Sequence, residues 1–216
     1  MTASRGLLVD YGGVLTPPLG PVWRDVERRM GLEKGTVFRT LQSAYEPGTG
    51  AGDIERLERG ELDLATFEAG LADRLREVGG AIPEEGLVAS LFHGMVPAGG
   101  VWEMLRRARA GGVRTGLLSN SWGTDAYPRD LLAEVCDEVV ISAEVGVRKP
   151  DPAIFHLAAE RLGVPPEGCA FVDDLPRNVE VATSLGMFGV HHTGDDAATA
   201  AALSAFLGVD LTADAA

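Results

Sequence analysis

Short runs of mainly apolar residues, separated by segments of helical periodicity, form the pattern of this chain. The lack of alternation within each run is typical of strands that are buried on both faces of a parallel sheet. The intervening segments predict helices that cover that sheet, and Asp151 followed by Pro152 has the features of a helix start. The pattern therefore predicts an α/β fold with three layers. The predicted strands are residues 6–10, 113–118, 139–141, 170–172 and 187–191.

The segment between the first predicted strand and the others has a different pattern. Its apolar residues recur at helical spacing, and no convincing strand interrupts them. Asp63 is predicted to cap the helix that carries Phe67. We therefore expect residues 17–97 to form a small α-helical cap, inserted into a core made of residues 1–16 and 98–216.

Composition and charge narrow the range of functions. The chain has 216 residues, of which 45% are hydrophobic, and its formal net charge is −13. This charge excludes nucleic acid as a partner, because no basic patch could offset it. No run of about 18 apolar residues predicts a membrane span, and the first residues lack a signal-like apolar region, so we expect a cytoplasmic protein. Cys136 and Cys169 are expected to be buried thiols. The sequence does not determine the oligomeric state.

Polar residues come directly after three of the predicted strands. Asp10, Ser119 and the pair Asp173 and Asp174 hold these positions. Because the carboxyl ends of parallel strands meet at one edge of a sheet, these side chains are expected to lie close together. Three carboxylates repel one another unless a cation is present, and Mg²⁺ prefers oxygen ligands of this kind. The sequence therefore predicts a Mg²⁺ site at this edge.

Lysine is rare in this chain, which draws attention to the two that are present. Of 19 basic residues, 17 are arginine, and the lysines are Lys34 and Lys149. A compact ammonium group suits a narrow phosphoryl site better than a planar guanidinium group does. Lys149 is therefore a candidate for neutralising a transferring phosphoryl group. We interpret its neighbour Arg148 as a solvated surface charge.

Four short stretches of the chain resemble the four motifs of the haloacid dehalogenase-like (HAD) hydrolases. The stretches are Val9–Thr16, Leu118–Ser121, Val147–Pro150 and Phe171–Asp174. Most members of this family are phosphatases that act through an aspartyl-phosphate. The resemblance implies a Rossmann-like parallel-sheet core, with a helical cap inserted after the first motif, and a small phosphorylated molecule as the substrate.

The same resemblance implies roles for the residues in the motifs. Asp10 corresponds to the nucleophile that attacks phosphorus. Ser119 donates to a phosphoryl oxygen, and Asn120 is a weaker candidate that orients the substrate or the nucleophile. Lys149 neutralises charge on Asp10 and on the phosphoryl group. These four residues are the predicted catalytic and substrate-binding set.

The Mg²⁺ ligands implied by the resemblance come from the first and last motifs. They are Asp10, the backbone carbonyl group of Gly12, Asp173 and Asp174. Asp174 is the first choice for a direct ligand, and Asp173 binds directly or through water. A bound Mg²⁺ would also shield the phosphate from the carboxylate that attacks it.

Gly12 departs from the family pattern, because phosphatases of the family usually carry a second Asp there. That Asp protonates the leaving alcohol and then activates water, a contribution of about 10²–10⁴-fold. Gly12 has no side chain for this, and Tyr11 is expected to point to the opposite face of the strand. A group near the cap could replace the acid, and the candidates are Glu46, Asp53 and His93.

Other functions stay open because of Gly12. The protein could be restricted to substrates with good leaving groups, or it could bind phosphate without turnover. Dehalogenases of the family also lack the second Asp but need no metal, and Asp173 with Asp174 argues against that activity. Phosphonate-cleaving relatives use a lysine of the cap, for which Lys34 is the sole candidate. We expect a hydrolase of the phosphatase type.

Overall fold

A five-stranded parallel sheet forms the centre of the protein, as seen in a computed structural model. The structure describes residues 4–45, 52–83, 85–93, 97, 99–123 and 127–212. The order of the strands is β3-β2-β1-β4-β5, and every neighbouring pair is parallel. The predicted α/β class is therefore confirmed. The strands are β1 (Gly6–Val9), β2 (Arg114–Ser119), β3 (Glu138–Ile141), β4 (Cys169–Asp173) and β5 (Phe188–His191).

Helices follow the strands and also fill the segment between β1 and β2. We call the first five described helices of that segment, α1 to α5, the inserted helices; α6 lies between them and β2. They are α1 (Leu19–Arg29), α2 (Thr36–Ser43), α3 (Asp53–Glu58), α4 (Leu64–Glu77) and α5 (Leu87–Leu91). The helices that follow are α6 (Gly100–Ala110), α7 (Arg129–Val135), α8 (Ser142–Val145), α9 (Pro152–Leu162), α10 (Pro176–Ser184) and α11 (Asp196–Leu207). The short helix α8 was not predicted from the sequence.

Both faces of the sheet are buried, which explains the unbroken apolar runs. Leu7 and Val9 of β1 lie in the apolar cluster that includes α6 and α11. Leu8 points to the other face and joins the cluster that includes α9 and α10. Successive residues of one strand therefore belong to two different cores. The predicted start of α9 is confirmed, since the Asp151 side chain accepts from the backbone N–H of Ala153 at 2.9 Å.

The inserted helices have an apolar cluster of their own. Its buried members all lie between Val26 and Leu91. The predicted cap at Asp63 is confirmed, because its carboxylate accepts from the backbone N–H of Thr66 at 2.8 Å. Trp122, which follows β2, packs against this cluster and contacts Phe67 edge-on, with ring centroids 5.6 Å apart. The inserted helices thus form a second packed unit in contact with the core.

The end of α3 lies close against the core. A Cβ atom added at Gly60 would lie 2.7 Å from the carbonyl oxygen of Ala143, so only glycine allows this approach. The backbone carbonyl of Glu58 also accepts a hydrogen bond from the Ser142 side chain. These contacts fix the C-terminal end of α3 beside α8. Within the described ranges, no helix is long and apolar enough to span a membrane.

Candidate active site

Three polar side chains meet at the carboxyl edge of the sheet, as the sequence predicts. Asp10 follows β1 directly, Ser119 ends β2 and Asp173 ends β4. Because β1 lies between β2 and β4, Asp10 occupies the middle of this edge. Its backbone N–H donates to the carbonyl oxygen of Val172 in β4 at 2.9 Å, so the hydrogen-bonded ladder between β1 and β4 extends one residue beyond β1. The carboxylate of Asp10 is therefore positioned by the sheet itself.

Lys149 joins two of the carboxylates at this edge. Its Nζ lies 2.8 Å from Oδ1 of Asp10 and 2.6 Å from Oδ2 of Asp173. The lysine side chain is only 2% exposed. Burial lowers the pKa of Lys149, but the two carboxylates raise it by more, so the net pKa lies above its ordinary value. Lys149 is thus a permanently charged bridge between the ends of β1 and β4.

Asp173 is held on both of its carboxylate oxygens. The side-chain amide of Asn178 donates to each oxygen at 3.0 Å, and the backbone N–H of Leu175 donates to Oδ1 at 2.8 Å. Asn178 was missed in the sequence analysis, although its place in the first turn of the helix after Asp173 is a usable signal. With Lys149 as a further donor, Asp173 is a carboxylate whose orientation is fixed.

Asp174 has fewer hydrogen-bond partners among the described residues than Asp173 has. Hydrogen bonds to its side-chain oxygens are absent among the described residues, and the residue is half-buried. Burial, together with the charge of Asp173, raises the pKa of Asp174 to about 6. Burial is also the main reason that the pKa of Asp10 is raised to about 7, against the lowering effect of Lys149. Both groups gain from a cation nearby.

The three carboxylates could hold a metal ion together. One oxygen from each of Asp10, Asp173 and Asp174 lies within 4.8 Å of the other two. Gly13, at φ +72°, leaves room for this group, since a Cβ there would lie 2.5 Å from Oδ2 of Asp174. The donors are all hard oxygen atoms, which fit Mg²⁺. Because Asp173 already accepts from three partners, Asp174 is the better direct ligand.

Ser119 is buried and its hydroxyl group already has a partner. The oxygen lies 2.9 Å from the hydroxyl oxygen of Tyr127, a residue that the sequence analysis missed. The expected orientation of Tyr11 is wrong, because β1 ends at Val9 and the strand alternation does not continue to residue 11. Tyr11 lines the same cavity and packs on Tyr127, with ring centroids 4.9 Å apart. These contacts fix the position of the Ser119 hydroxyl.

Asn120 positions the backbone of Lys149. Its Oδ1 accepts from the Lys149 N–H at 2.8 Å, and its Nδ2 donates to the Lys149 carbonyl oxygen at 3.0 Å. The two bonds hold the lysine segment against the end of β2. Asn120 therefore positions the residue that contacts Asp10.

Arg148 is not the solvated surface charge that the sequence suggested. Its side chain is 13% exposed and forms an ion pair with Glu58 of α3, whose side chain is 6% exposed. Arg148 also donates to the hydroxyl group of Tyr45. The expectation failed because the acidic partner comes from the inserted helices, about ninety residues earlier in the chain. Arg148 thus connects the lysine segment to the inserted helices.

These residues surround one cavity of about 690 Å³ between the sheet edge and the inserted helices. Polar groups lie at its base, and aromatic or aliphatic side chains form much of its wall. The base includes Asp10, Gly12, Ser119, Asn120, Lys149 and Asp174; the wall includes Leu19, Tyr45, Ala89, Phe92, Trp122 and Leu175. A cavity of this size accommodates a small organic molecule.

Two of the residues proposed to replace the missing acid lie elsewhere. Asp53 pairs with Arg74 at 2.7 Å and does not line the cavity, and His93 is exposed and also outside the lining. Glu46 lies outside the described residues. Lys34 is exposed and outside the described cavity lining, which removes the support for a lysine-dependent cleavage of phosphonates.

Comparison with known proteins identifies the family. A family model described as haloacid dehalogenase-like hydrolase matches residues 5–186. The chain belongs to the haloacid dehalogenase-like hydrolases. The resemblance of its four motifs to this family is therefore confirmed, and the protein is an enzyme of the HAD-like hydrolase type.

Two curated relatives illustrate the range of the family. Bifunctional epoxide hydrolase 2 of Rattus norvegicus is 25% identical over 201 residues, which are 86% of this chain and 36% of that protein. Glyceraldehyde 3-phosphate phosphatase of Methanopyrus kandleri is 41% identical over 83 residues, which are 38% of this chain and 35% of that protein. The chain spans from 17% to 37% of the length of the curated relatives that match most of it.

A solved structure shows the same fold. It is a HAD family enzyme of Bacteroides thetaiotaomicron in complex with magnesium and inorganic phosphate. The match has a TM-score of 0.63 at 21% identity and covers 89% of this chain and 96% of that chain. The likeness supports the Rossmann-like core described above.

Proposed function

We propose that this protein is a Mg²⁺-dependent hydrolase of small phosphorylated molecules that acts through an aspartyl-phosphate on Asp10. The observation that carries the proposal is the contact of Lys149 with Asp10 and Asp173, next to Asp174. A buried lysine here supplies a positive charge, and the three carboxylates supply oxygen ligands for a cation. Dehalogenation needs neither a metal nor the carboxylate pair Asp173 and Asp174, so we do not favour it.

The reaction follows from the positions of the side chains. Lys149 holds Oδ1 of Asp10, while Oδ2 has no donor among the described residues and is available to attack phosphorus. The new bond joins Oδ2 to phosphorus as the bond from phosphorus to the leaving oxygen breaks. Water then attacks the acyl phosphate, which releases phosphate and restores Asp10. Ser119 and Lys149 stabilise the charge on the phosphoryl oxygens in both steps.

The residues that would hold Mg²⁺ are Asp10, Asp174, the carbonyl group of Gly12 and, directly or through water, Asp173. The ion, when bound, neutralises charge and reduces the repulsion between the carboxylate of Asp10 and an anionic substrate. Magnesium in the related enzyme of Bacteroides thetaiotaomicron supports this assignment. The absence of a Cβ atom at Gly13, which leaves space for the Asp174 carboxylate, supports the assignment independently.

The cavity favours a substrate with an apolar organic group. Its wall is largely aromatic and aliphatic, and it includes Leu19 of α1, Tyr45 after α2 and Phe92 after α5. We propose that residues 17–97 act as the cap of the enzyme and choose the substrate, while residues 1–16 and 98–216 carry the nucleophile and the metal ligands. A monophosphate ester of an aryl or alkyl alcohol fits this division.

Hydrolysis of p-nitrophenyl phosphate tests the proposal, because its leaving group needs little protonation. We expect turnover with Mg²⁺, a loss of at least about 10³-fold in Asp10→Asn, and no loss in the exposed control Asp25→Asn. Activity that persists in Asp10→Asn, or that ignores EDTA, would overturn the proposal.

A protein that binds phosphate without turnover is the second candidate, because Gly12 carries no acid. Fluoroberyllate, a phosphate mimic, distinguishes the two functions. Binding of fluoroberyllate that depends on Mg²⁺, with no hydrolysis of any tested ester, would favour the second candidate over the first.

A further inference from the structure

The proposed reaction needs a group that protonates the leaving oxygen, and Gly12 cannot be that group. An alkyl leaving group departs as a strong base unless it receives a proton. The same group must later take a proton from the attacking water. The question is therefore which other side chain of the cavity can give and take a proton.

Among the described residues that line the cavity, one carboxyl group has no role in the proposed function. Asp10 is the nucleophile and Asp174 is a metal ligand, which leaves Glu58. Burial raises the pKa of Tyr45 to about 12, and burial also raises the pKa of Tyr127 above its ordinary value. Neither tyrosine suits proton transfer near neutral pH.

The surroundings of Glu58 leave one of its oxygens available. Oε2 accepts from Arg148 and from Nδ2 of Asn120, the latter at 3.4 Å. Hydrogen bonds to Oε1 are absent among the described residues, although the side chain is 94% buried and faces the cavity. One oxygen therefore fixes the orientation of a side chain that lines the cavity, and the other accepts no hydrogen bond from a described residue.

Glu58 is also connected to the reacting groups through other residues of the site. Asn120, which donates to Glu58, holds both backbone groups of Lys149, and Lys149 reaches Asp10 at 2.8 Å. A single residue thus separates Glu58 from the lysine that binds the nucleophile. Proton transfer by a carboxyl group works directly or through one water molecule.

We propose that Glu58 is the general acid and base of the reaction and takes the role that Gly12 cannot fill. This inference rests on the proposed function. In the first step, Oε1 gives its proton to the leaving oxygen as the bond from phosphorus to that oxygen breaks. In the second step, the carboxylate takes a proton from the water that attacks the phosphorus of the acyl phosphate. Glu58 is then protonated again, and the cycle is balanced.

The protonation of Glu58 agrees with this role. Burial raises its pKa to about 7, while the Arg148 guanidinium group opposes the rise. A carboxyl group with a pKa in this range is present in both forms near neutral pH, as the two steps require.

Two esters with different leaving groups test the proposal. We expect Glu58→Gln to lower kcat for 2-phenylethyl phosphate by about 10²–10⁴-fold, and kcat for p-nitrophenyl phosphate by less than about tenfold. Asp53→Asn, a control at the other end of α3, is expected to change neither rate. In the wild type, kcat for 2-phenylethyl phosphate is expected to fall above about pH 7, as Glu58 loses its proton. This fall is expected to disappear in Glu58→Gln. Thermal melting confirms that both variants fold.

A rescue experiment separates an acid from a residue that merely holds Arg148. Adding Gly12→Asp to Glu58→Gln supplies a carboxyl group at the usual family position, and we expect it to restore the rate on the alkyl ester at least tenfold. A residue that only positions Arg148 would instead give equal losses on both esters, the same losses in Arg148→Met, and no rescue. That pattern would overturn the proposal.

A direct titration adds a readout that does not depend on turnover. Carbon-13 NMR of protein labelled at glutamate carboxyl groups, assigned with Glu58→Gln, is expected to show a midpoint near 7 for Glu58. A midpoint near 4.3, the ordinary value, would overturn the role of Glu58. If wild-type protein hydrolyses neither ester with Mg²⁺, the proposed function fails; if it hydrolyses both but Glu58→Gln changes them equally, only this inference fails.

Discussion

Arg148 and Lys149 are neighbours in the chain but serve two different regions. Lys149 points to the sheet edge and bridges Asp10 and Asp173, whereas Arg148 points to α3 and pairs with Glu58. Both contacts bury a cation against carboxylates. They differ in the segments that they join. The contacts of Lys149 connect strands of the same sheet, and the contact of Arg148 connects the core to the inserted helices.

The difference shows how the sheet edge and the inserted helices are specified. The carboxylates at the sheet edge have fixed positions because the hydrogen-bonded ladder fixes β1 and β4. Glu58 depends on how α3 packs against α8, near Gly60 and Ala143. A compact ammonium group reaches two oxygens in the narrow space at the edge, while a planar guanidinium group binds a carboxylate and a tyrosine hydroxyl side by side.

The largest expected effect comes from removing the cation at the sheet edge. Lys149→Met would leave two buried carboxylates facing each other, and we expect it to lower the free energy of unfolding by about 3–5 kcal/mol near neutral pH. The loss is expected to shrink at acidic pH, as Asp10, whose pKa is raised by burial, becomes protonated. Lys34→Met, at the exposed lysine, is the control. Denaturant unfolding measures both, and equal effects of the two variants would contradict the bridge.

The pair between Glu58 and Arg148 is expected to give a smaller effect that depends on pH. Because the pKa of Glu58 rises from 4.5 to about 7, the native state binds more protons than the unfolded state in this interval. The stability of the wild type is therefore expected to fall, relative to Glu58→Gln, on the order of 1–3 kcal/mol as pH rises from 4.5 to 7. Unfolding curves of the two proteins that stay parallel across this range would contradict it.

Gly13→Ala tests the close packing at the sheet edge. The positive φ alone is expected to cost about 1–2 kcal/mol. Gly31, at φ +69° with nothing within 4 Å of an added Cβ, provides a matched control that has the strain without the contact. We expect Gly13→Ala, and not Gly31→Ala, to weaken Mg²⁺ binding more than tenfold in calorimetry. Equal Mg²⁺ affinity of the two variants would contradict the inference that Gly13 leaves space for Asp174 as a metal ligand.

The smallest effect is expected at the far end of α3. Asp53 pairs with Arg74 and Arg56 through a partly exposed carboxylate, so Asp53→Asn is expected to change the free energy of unfolding by less than about 1 kcal/mol. Thermal melting measures the change. A loss of more than about 1 kcal/mol would contradict the weak contribution expected of this exposed pair.

The strands and the residues at their ends could be predicted because their signals are local. An unbroken apolar run predicts a buried parallel strand, and a polar residue after the run is brought to the carboxyl edge. Asp10, Ser119 and Asp173 follow this rule, and the structure brings them together. The helix starts at Asp63 and Asp151 were predictable for a similar reason, since a capping side chain bonds to the backbone two or three residues away.

The partners of these residues could not be predicted in the same way. Tyr127 comes from beyond the end of β2 and reaches Ser119 only in the folded protein. Glu58 is one of many acidic residues in a charged helical segment, and helical periodicity does not say which of them faces the core. The burial of Arg148 could not be predicted either, because it depends on Glu58 facing the core.

The sequence by itself determined the parallel sheet, the edge at which its polar residues meet, and the family to which the four motifs belong. Periodicity and strand-end chemistry depend on neighbouring residues, so they can be read without a structure. The sequence also predicted that Lys149 acts on Asp10, whereas only the tertiary structure decided that Arg148 turns to Glu58. The direction of the Arg148 side chain is set by a contact between segments far apart in the chain, and this contact exists only once the inserted helices pack on the core.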